Sequence, residues 1–201
     1  MDPVPVVAYA PTPLSFLRWR WNAMLALVCR GVIVAAGVRG GSQAMPRVVS
    51  DLVDVYPFRR LPQRPPYEVQ FLLVRRRADG PLGGTWHAVH GRILPQERAL
   101  EAAARELLEQ TGLVPQRLYS ADFVAQFYDH ANDAIVLAPV FAALIEPRAA
   151  VRLSAAHDDY AWCDLDEAVA RLLWTSQRWA VRHIHAVIAC GGEEAEFYAL
   201  T

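Results

Sequence analysis

The feature that most constrains the fold of this chain is the segment from Gly91 to Leu113, where apolar and charged residues follow a regular spacing. Its apolar residues recur with the period of an amphipathic helix, which predicts a helix over Glu97–Gln110. Gly112 follows, and glycine readily adopts the left-handed conformation that ends a helix. The side of the helix that faces the core is predicted to consist of Leu100, Ala103, Ala104, Leu107 and Leu108.

A different side of this helix is acidic. Glu106, Glu109 and Gln110 stand at positions i, i+3 and i+4, so their side chains are expected to cluster. Neighbouring carboxylates repel unless a cation neutralises them, and carboxylate oxygens are the ligands that Mg²⁺ prefers. A pair of glutamates alone is more typical of a solvated helix face with Glu–Arg pairs, so the inference depends on the wider pattern.

The wider pattern resembles the Nudix box of the MutT/Nudix family. Five residues separate Gly91 from Glu97, seven more precede an Arg-Glu-apolar-any-Glu run that begins at Arg105, and a Gly-apolar pair closes the segment. Chance agreement at so many fixed offsets is not expected. The resemblance implies the Nudix fold, an α/β architecture in which a mixed β-sheet is sandwiched between α-helices.

The resemblance also implies an activity. The chain would be a hydrolase that uses Mg²⁺, with Mn²⁺ as the alternative, to cleave a phosphoanhydride bond. Its substrate would be a small diphosphate-containing molecule, either a nucleoside or pterin triphosphate or another nucleoside diphosphate linked to a second group. Glu106 would activate the attacking water and Arg105 would orient a glutamate of the box. The implied metal ligands are Glu97, Glu106, Glu109 and Gln110.

Three residues outside the helix are candidates for contact with substrate. Arg76 belongs to a basic run at a strand end that could meet phosphates, although such runs are more often solvated turns. His87 and His90 bracket the strand that leads into Gly91, and strand alternation directs one of them away from the core, which favours His90. Gly91 itself could bring the backbone close to a phosphate because it has no side chain.

Two positions depart from the family pattern and reduce the negative charge of the expected site. Gln110 stands where the box usually has a metal-binding glutamate. Ala156 precedes His157 where relatives often carry a glutamate, which leaves Asp158 or Asp159 as replacements. The alternative is therefore a catalytically weakened or inactive Nudix-fold protein with a ligand-binding or regulatory role.

The substrate itself is not defined by the box, because selectivity comes from loops and strand faces outside it. The segment Ser176–Ala180 is loosely similar to the branch that contains dihydroneopterin triphosphate pyrophosphatase. Phe127, Tyr128 and His130 could stack on a base, although aromatic residues in strands more often belong to the core.

Composition and net charge limit the kinds of partner and compartment expected for this chain. With 54% hydrophobic residues among 201, the chain can bury a substantial core, and its net charge of −1 favours no stable nucleic-acid partner. Cys29, Cys163 and Cys190 match no zinc spacing, so they are expected to be small buried hydrophobes in a reducing compartment, the cytoplasm. Membrane association is not expected, and a homodimer is left open.

The chain is predicted to divide near Met45. Residues 1–44 combine a proline-rich start, the basic pair Arg18 and Arg20, and an apolar run interrupted by Arg30. The uninterrupted pieces are shorter than the roughly 20 residues that span a bilayer. We expect a poorly ordered extension or a start-site artefact, with a membrane or targeting segment as the alternative, followed by a Nudix hydrolase domain over 45–201.

Several strands and two further helices complete the predicted domain. A capping box at Asp164 and Glu167 opens the first helix, and the second runs from Thr175 or Ser176 to Ala189. A turn is predicted over Arg59–Pro66. Strands are predicted over 48–58, 68–75, 86–89, 118–128, 134–145 and 160–163.

Overall fold

The computed structural model describes residues 45–61, 68–80 and 82–200. The predictions for residues 1–44, including Cys29, lie outside these ranges. Among the described residues, no helix combines the length and the apolar character needed to cross a bilayer.

Within the described residues, eight strands form one mixed sheet. The strand β7 is parallel to β1 and β2 and antiparallel to β6. The first half of β2 pairs with β5 and its second half with β3, which also pairs with β4 and β8. The strands are β1 (Arg47–Val49), β2 (Leu52–Arg60), β3 (Val69–Arg76), β4 (Trp86–His87), β5 (Val89–Arg92), β6 (Arg117–Asp129), β7 (Ala134–Leu144) and β8 (His157–Cys163).

Helices cover both faces of the sheet. On one face α1 (Ala99–Thr111) packs against buried side chains that include Val53, Val55 and Val89. On the other face lie α2 (Leu165–Arg171) and α3 (Thr175–Ile184), which continues into a π-helical turn (His185–Ala189). A 3-10 helix (Glu193–Tyr198) follows. The predicted sandwich of helices around a mixed sheet is confirmed.

The helix α1 differs from the prediction at its start and on one side. It begins at Ala99, and Glu97 lies outside it, accepting a hydrogen bond from the Leu94 backbone N–H. Gly112 ends the helix with a φ of 69°, as predicted. Leu108, predicted to face the core, is 50% exposed, because it lies about 100° around the helix from the buried Leu107. The buried residues of α1 are Ala102, Ala103, Leu107 and Thr111.

Two predicted strands are each divided in two. The strand expected over 48–58 is broken at Ser50 and Asp51, and both of its parts pair with β7. The strand expected over 86–89 is broken at Ala88, because β4 pairs with β3 whereas β5 pairs with β2.

The turn predicted from Arg59 is wrong at its start, since β2 extends through Arg60. Arg59 stays in the sheet because it hydrogen-bonds Gln70 Oε1 and lies over the Trp162 ring. Arg60 donates to the carbonyl oxygens of Ile188 and Ala189.

Two smaller predictions concern the cap of α2 and the burial of the cysteines. The Asp164 cap of α2 is confirmed, because Asp164 Oδ1 accepts a hydrogen bond from the Glu167 N–H at 2.8 Å, whereas the reciprocal bond of a capping box, to the Glu167 side chain, is not found among the described residues. Cys163 is buried as expected, whereas Cys190 is exposed because it closes the π-helical turn at the surface.

Candidate active site

A single arginine holds the acidic cluster together. Arg105, in the middle of α1, donates to both carboxylate oxygens of Glu97, at 2.7 and 2.9 Å. Its Nη1 donates to Glu106 at 3.0 Å and to Glu109 at 3.1 Å, and its Nη2 donates to the Arg92 carbonyl oxygen at 2.7 Å. The hydrogen bonds from Arg105, with that from the Leu94 N–H, lower the pKa of Glu97 to about 2. The single positive charge of the guanidinium is shared by three carboxylates, so it offsets only part of their formal negative charge.

Gly91 brings the backbone of β5 against Glu106. A Cβ atom at position 91 would overlap the Glu106 side chain, and the next backbone N–H, that of Arg92, donates to Glu106 Oε1 at 3.1 Å. The glycine of the box thus makes room for a carboxylate of the protein itself.

The Gln110 amide occupies the other Glu106 oxygen. Its Nε2 donates to Glu106 Oε2 at 2.8 Å and to the His90 carbonyl oxygen at 2.9 Å. This arrangement fixes the amide orientation, because the reverse would set Oε1 against two acceptors. Gln110 Oε1 is buried and has no hydrogen-bond partner among the described residues.

The loop between β7 and β8 reaches the end of α1, but the acidic residues that follow it in β8 do not join the cluster. Ser154 N–H donates to the Gln110 carbonyl oxygen at 3.0 Å. Asp158 and Asp159 instead pair with Arg75, at 2.7 and 3.6 Å. The side chains considered as replacements for the missing glutamate at Ala156 are therefore engaged at β3.

A cavity of about 530 Å³ opens on the sheet face opposite α1. Asp54 and His90, which alternate with residues packed against α1, lie in its wall and bond each other, with 2.5 Å between Asp54 Oδ1 and His90 Nδ1. Arg76 also lines it, and burial lowers the pKa of this guanidinium, with no carboxylate to offset the effect. The rest of the wall is formed by Leu82, His87, Ala125, Gln126, Phe127, Tyr128, Trp174, Thr175, Ser176 and Gln177.

Two buried histidines lie beside Arg76. His87 Nδ1 donates to the Ala88 carbonyl oxygen, so its Nε2 accepts from His157 Nε2–H at 3.2 Å. Burial, followed by the positive charge of Arg76, lowers the pKa of His87 to about 3. Both factors also lower the pKa of His157. The pair is therefore neutral near neutral pH and adds no further positive charge beside Arg76.

Comparison with known proteins identifies the family. Residues 62–184, more than half of the chain, match the family model of the NUDIX domain. This chain belongs to the Nudix hydrolase family. The Nudix box is the segment around Arg105 described above.

Solved Nudix structures share the fold. The chain superposes with a TM-score of 0.57 on an Ap4A hydrolase binary complex from C. elegans, at 22% identity, covering 69% of this chain and 96% of that one. A MutT protein from Methanosarcina mazei Go1 gives 0.55 at 24% identity, covering 70% and 95%. The NUDIX domain of Shewanella oneidensis NrtR, complexed with ADP ribose, gives 0.55 at 20% identity, covering 72% and 88%.

A curated relative is much longer than the matching segment. The chain is 38% identical over 122 residues to a protein named octanoyltransferase from Myxococcus xanthus, which covers 59% of this chain. The match spans only 33% of that protein, so its name describes a protein about three times the length of the matched part.

Nudix hydrolases generally use divalent metals, and the donor chemistry of this box fits one. Glu106 and Glu109 offer hard oxygen donors on one helix, whereas the Gln110 amide turns its nitrogen toward Glu106, and its buried Oε1 has no partner among the described residues. Glu97 and Glu106 each accept hydrogen bonds at both oxygens, so Glu109, which accepts from Arg105 at Oε2, is the least engaged of the three. Among the described residues, no three His, Cys, Asp or Glu side chains are arranged to hold a metal. The set suits Mg²⁺, which commonly takes one or two carboxylates and completes its shell with water and substrate phosphates.

The sequence-predicted residues fall into two groups. The residues brought together on the α1 face are Gly91, Glu97, Arg105, Glu106, Glu109 and Gln110. Arg76 and the His90 side chain lie in the cavity on the other face, with Phe127 and Tyr128. Sequence reasoning missed Asp54, although a carboxylate in an otherwise apolar strand was a visible signal. It also did not assign a role to Gln177, although this residue lies in the Ser176–Ala180 segment whose resemblance to the dihydroneopterin triphosphate pyrophosphatase branch was noted.

Proposed function

We propose that this chain hydrolyses a phosphoanhydride bond in a small organic diphosphate with the help of Mg²⁺ or Mn²⁺. The observation that carries the proposal is the fixed geometry of Glu106. Arg105 and the Arg92 N–H donate to one of its oxygens and Gln110 donates to the other. A carboxylate held in this way is preorganised to act on one water molecule.

Each residue of the cluster has a separate role. Glu106 accepts the proton of the attacking water, and Arg105 is a positioning residue that fixes the glutamates. Glu106 and Glu109 would hold the metal, Gln110 would join them if its amide turned its oxygen toward Glu106, and Glu97 would fix Arg105. A bound metal would neutralise the diphosphate oxygens and favour ionisation of the water. No covalent nucleophile is needed, because a metal-bound phosphate is a good leaving group.

The cavity supplies the contacts to substrate. Arg76 offers a cation to phosphate oxygens, and guanidinium groups suit these acceptors because they donate two parallel hydrogen bonds. His90 lines the cavity through its side chain, while its carbonyl oxygen accepts from Gln110. The strand β5 therefore connects the cavity to the acidic cluster.

Turnover across a substrate panel tests the proposal. Purified full-length chain is incubated with nucleoside triphosphates, dinucleotides, nucleotide sugars and dihydroneopterin triphosphate while Mg²⁺ or Mn²⁺ is titrated. We expect metal-dependent release of pyrophosphate or a monophosphate product from at least one class. Absence of turnover on every member with both metals contradicts the proposal.

The Gln110 amide favours a second candidate, a ligand-binding protein with little or no catalysis. Gln110 Nε2 donates a hydrogen bond to Glu106 Oε2. The glutamate that the family box usually has at this position would instead share a cation with Glu106. Under this candidate, calorimetry shows ligand binding without turnover. Gln110→Glu combined with Ala156→Glu then raises both the metal affinity and the hydrolytic rate, whereas an unchanged rate counts against it.

We also propose that residues 45–201 form the functional unit in the cytoplasm, and that residues 1–44 contribute no chemistry. The described residues from 45 onward contain both the acidic cluster and the cavity. Full chain and a chain that starts at Met45 are compared for turnover, fractionation and, by light scattering, oligomeric state. A loss of activity on removal of residues 1–44 contradicts this division.

A further inference from the structure

We infer that Gln177 is a specificity-determining residue for the organic group of the substrate, and that this group is a planar heteroaromatic ring with a hydrogen-bond donor beside an acceptor. The inference rests on the proposed function in one respect, namely that the ring belongs to a diphosphate. It assigns the end of the cavity near α3 to the ring and the end near β5 to the phosphates.

The first observation is the state of the Gln177 amide. Gln177 lies in the first turn of α3 and lines the cavity. Its Oε1 is buried without a hydrogen-bond partner among the described residues. Buried polar groups are nearly always bonded, so an unbonded one next to a cavity is a group to which a ligand can bind.

The second observation is that this amide can present either end. No hydrogen bond among the described residues involves either the Oε1 or the Nε2 of Gln177, so rotation about the terminal bond breaks none of them. The side chain then offers both a donor and an acceptor, as glutamine does when it reads the paired donor and acceptor of a base edge. A ligand edge that carries only donors or only acceptors would form a hydrogen bond with only one end of the amide.

The third observation is the shape and chemistry of the walls. Phe127 and Trp174 line the cavity and are 47% and 52% exposed. Phe127 shares its face of β6 with the buried Ala125, which packs in the core on the cavity side of the sheet. Exposed aromatic faces stack on flat rings and contact flexible chains less well. The walls therefore suit the ring that Gln177 would read.

The fourth observation is the direction of the cavity. Arg76, His90 and Asp54 lie on the sheet, and His90 precedes the glycine that contacts Glu106. The phosphates are therefore assigned to the end of the cavity lined by Arg76 and His90, and the ring to the end lined by Trp174 and Gln177. The volume of about 530 Å³ lies within the range of small-molecule sites.

The test measures binding without hydrolysis. Calorimetry gives Kd values of the full chain for α,β-methylene analogues of ATP, GTP, CTP and UTP, for dihydroneopterin triphosphate without metal, and for inorganic tripolyphosphate as a ringless probe. We expect at least one ring-bearing probe to bind on the order of 10-fold to 100-fold more tightly than tripolyphosphate. The probe that binds most tightly distinguishes a purine, a pyrimidine and a pterin.

Gln177→Leu removes the amide while keeping an apolar side chain of similar size. The ratio of the tripolyphosphate Kd to the Kd of the tightest ring-bearing probe should fall by about 10-fold, while the tripolyphosphate Kd is unchanged. Gln177→Met is a second variant in case the first does not fold. Gln116→Leu is the matched control, because Gln116 is exposed and lies outside the cavity lining.

The outcomes separate this inference from the proposed function. Equal affinity for ringless and ring-bearing probes, or an unchanged ratio in both Gln177 variants of native thermal stability, overturns the inference even if hydrolysis is observed. A ring preference that depends on Gln177 supports it, even in a chain that turns over none of the panel.

Discussion

The two faces of the sheet treat polar groups in opposite ways. On the α1 face, Arg105 links three glutamates, and Glu106 accepts hydrogen bonds at both oxygens. In the cavity on the other face, Arg76 has no carboxylate partner and the Gln177 amide oxygen has no partner among the described residues. We call the α1 face the bonded face, because its charged side chains are linked to one another, and the cavity face the unbonded face, because Arg76 and Gln177 keep free hydrogen-bonding capacity there even though Asp54 and His90 bond each other.

The largest expected effect comes from Glu106→Gln. Loss of the group that accepts the proton of water should lower kcat by roughly 10²-fold to 10⁴-fold. Binding of tripolyphosphate in the cavity should be nearly unchanged, because the glutamine keeps the shape of the side chain. Initial rates and calorimetry measure both, with the exposed Glu194→Gln as control. A variant that retains most of its kcat would remove Glu106 from the catalytic role.

Arg105→Met and Arg76→Met compare the two faces directly. Arg105→Met leaves three carboxylates without their shared partner and should lower the free energy of unfolding by about 3 kcal/mol in urea titrations. Arg76→Met removes a half-buried cation that has no carboxylate partner among the described residues, so stability should be unchanged or higher. The KM of Arg76→Met should rise about 10-fold, with a smaller change in kcat. Equal destabilisation by both changes would erase the contrast between the faces.

Gly91→Ala tests the close approach of β5 to Glu106. The new Cβ would displace the Glu106 side chain, so we expect a loss of about 2 kcal/mol in unfolding free energy and a reduced kcat. Gly192→Ala is the matched control, because a Cβ there meets nothing within 4 Å. Similar unfolding midpoints for the two variants would contradict the crowded geometry.

The smallest expected effect is a pH dependence of stability. The pKa of His87 is lowered from 6.5 to about 3, so the unfolded chain binds this proton more readily than the folded one. The stability contribution is therefore complete above about pH 6.5 and is lost as pH falls toward 3. In His87→Asn, the decrease in unfolding free energy between about pH 7 and pH 5 should be smaller by about 1–2 kcal/mol. The exposed His130→Asn is the control, and its slope should match that of the unmodified chain.

Sequence reasoning reached the bonded face more fully than the unbonded one. The spacing from Gly91 to Gly112 placed α1 and its glutamates, because local periodicity determines which helix residues are neighbours. It also anticipated the contact role of Arg105, since Glu109 is one helical turn away. The break at Ala88 was not foreseen, because it depends on two different partner strands.

The cavity depends on contacts that are distant in the chain. Asp54, Tyr128 and Gln177 belong to β2, β6 and α3, and no local pattern brings them together. The bonding of Gln110 to the His90 carbonyl oxygen also depends on tertiary placement. The type of residue at position 110 was evident from the sequence, whereas the direction of its amide was not.

The alternation of His90 and Gly91 along β5 makes the register of that strand critical. A slip of one residue would turn the imidazole toward α1 and the glycine toward the cavity. The imidazole would then collide with Glu106, and Asp54 would lose its partner. The pairing of Asp54 with His90 and of Val53 with Gly91 thus fixes the register of β5 against β2. A shift of this register would impair substrate binding in the cavity and catalysis at Glu106 together.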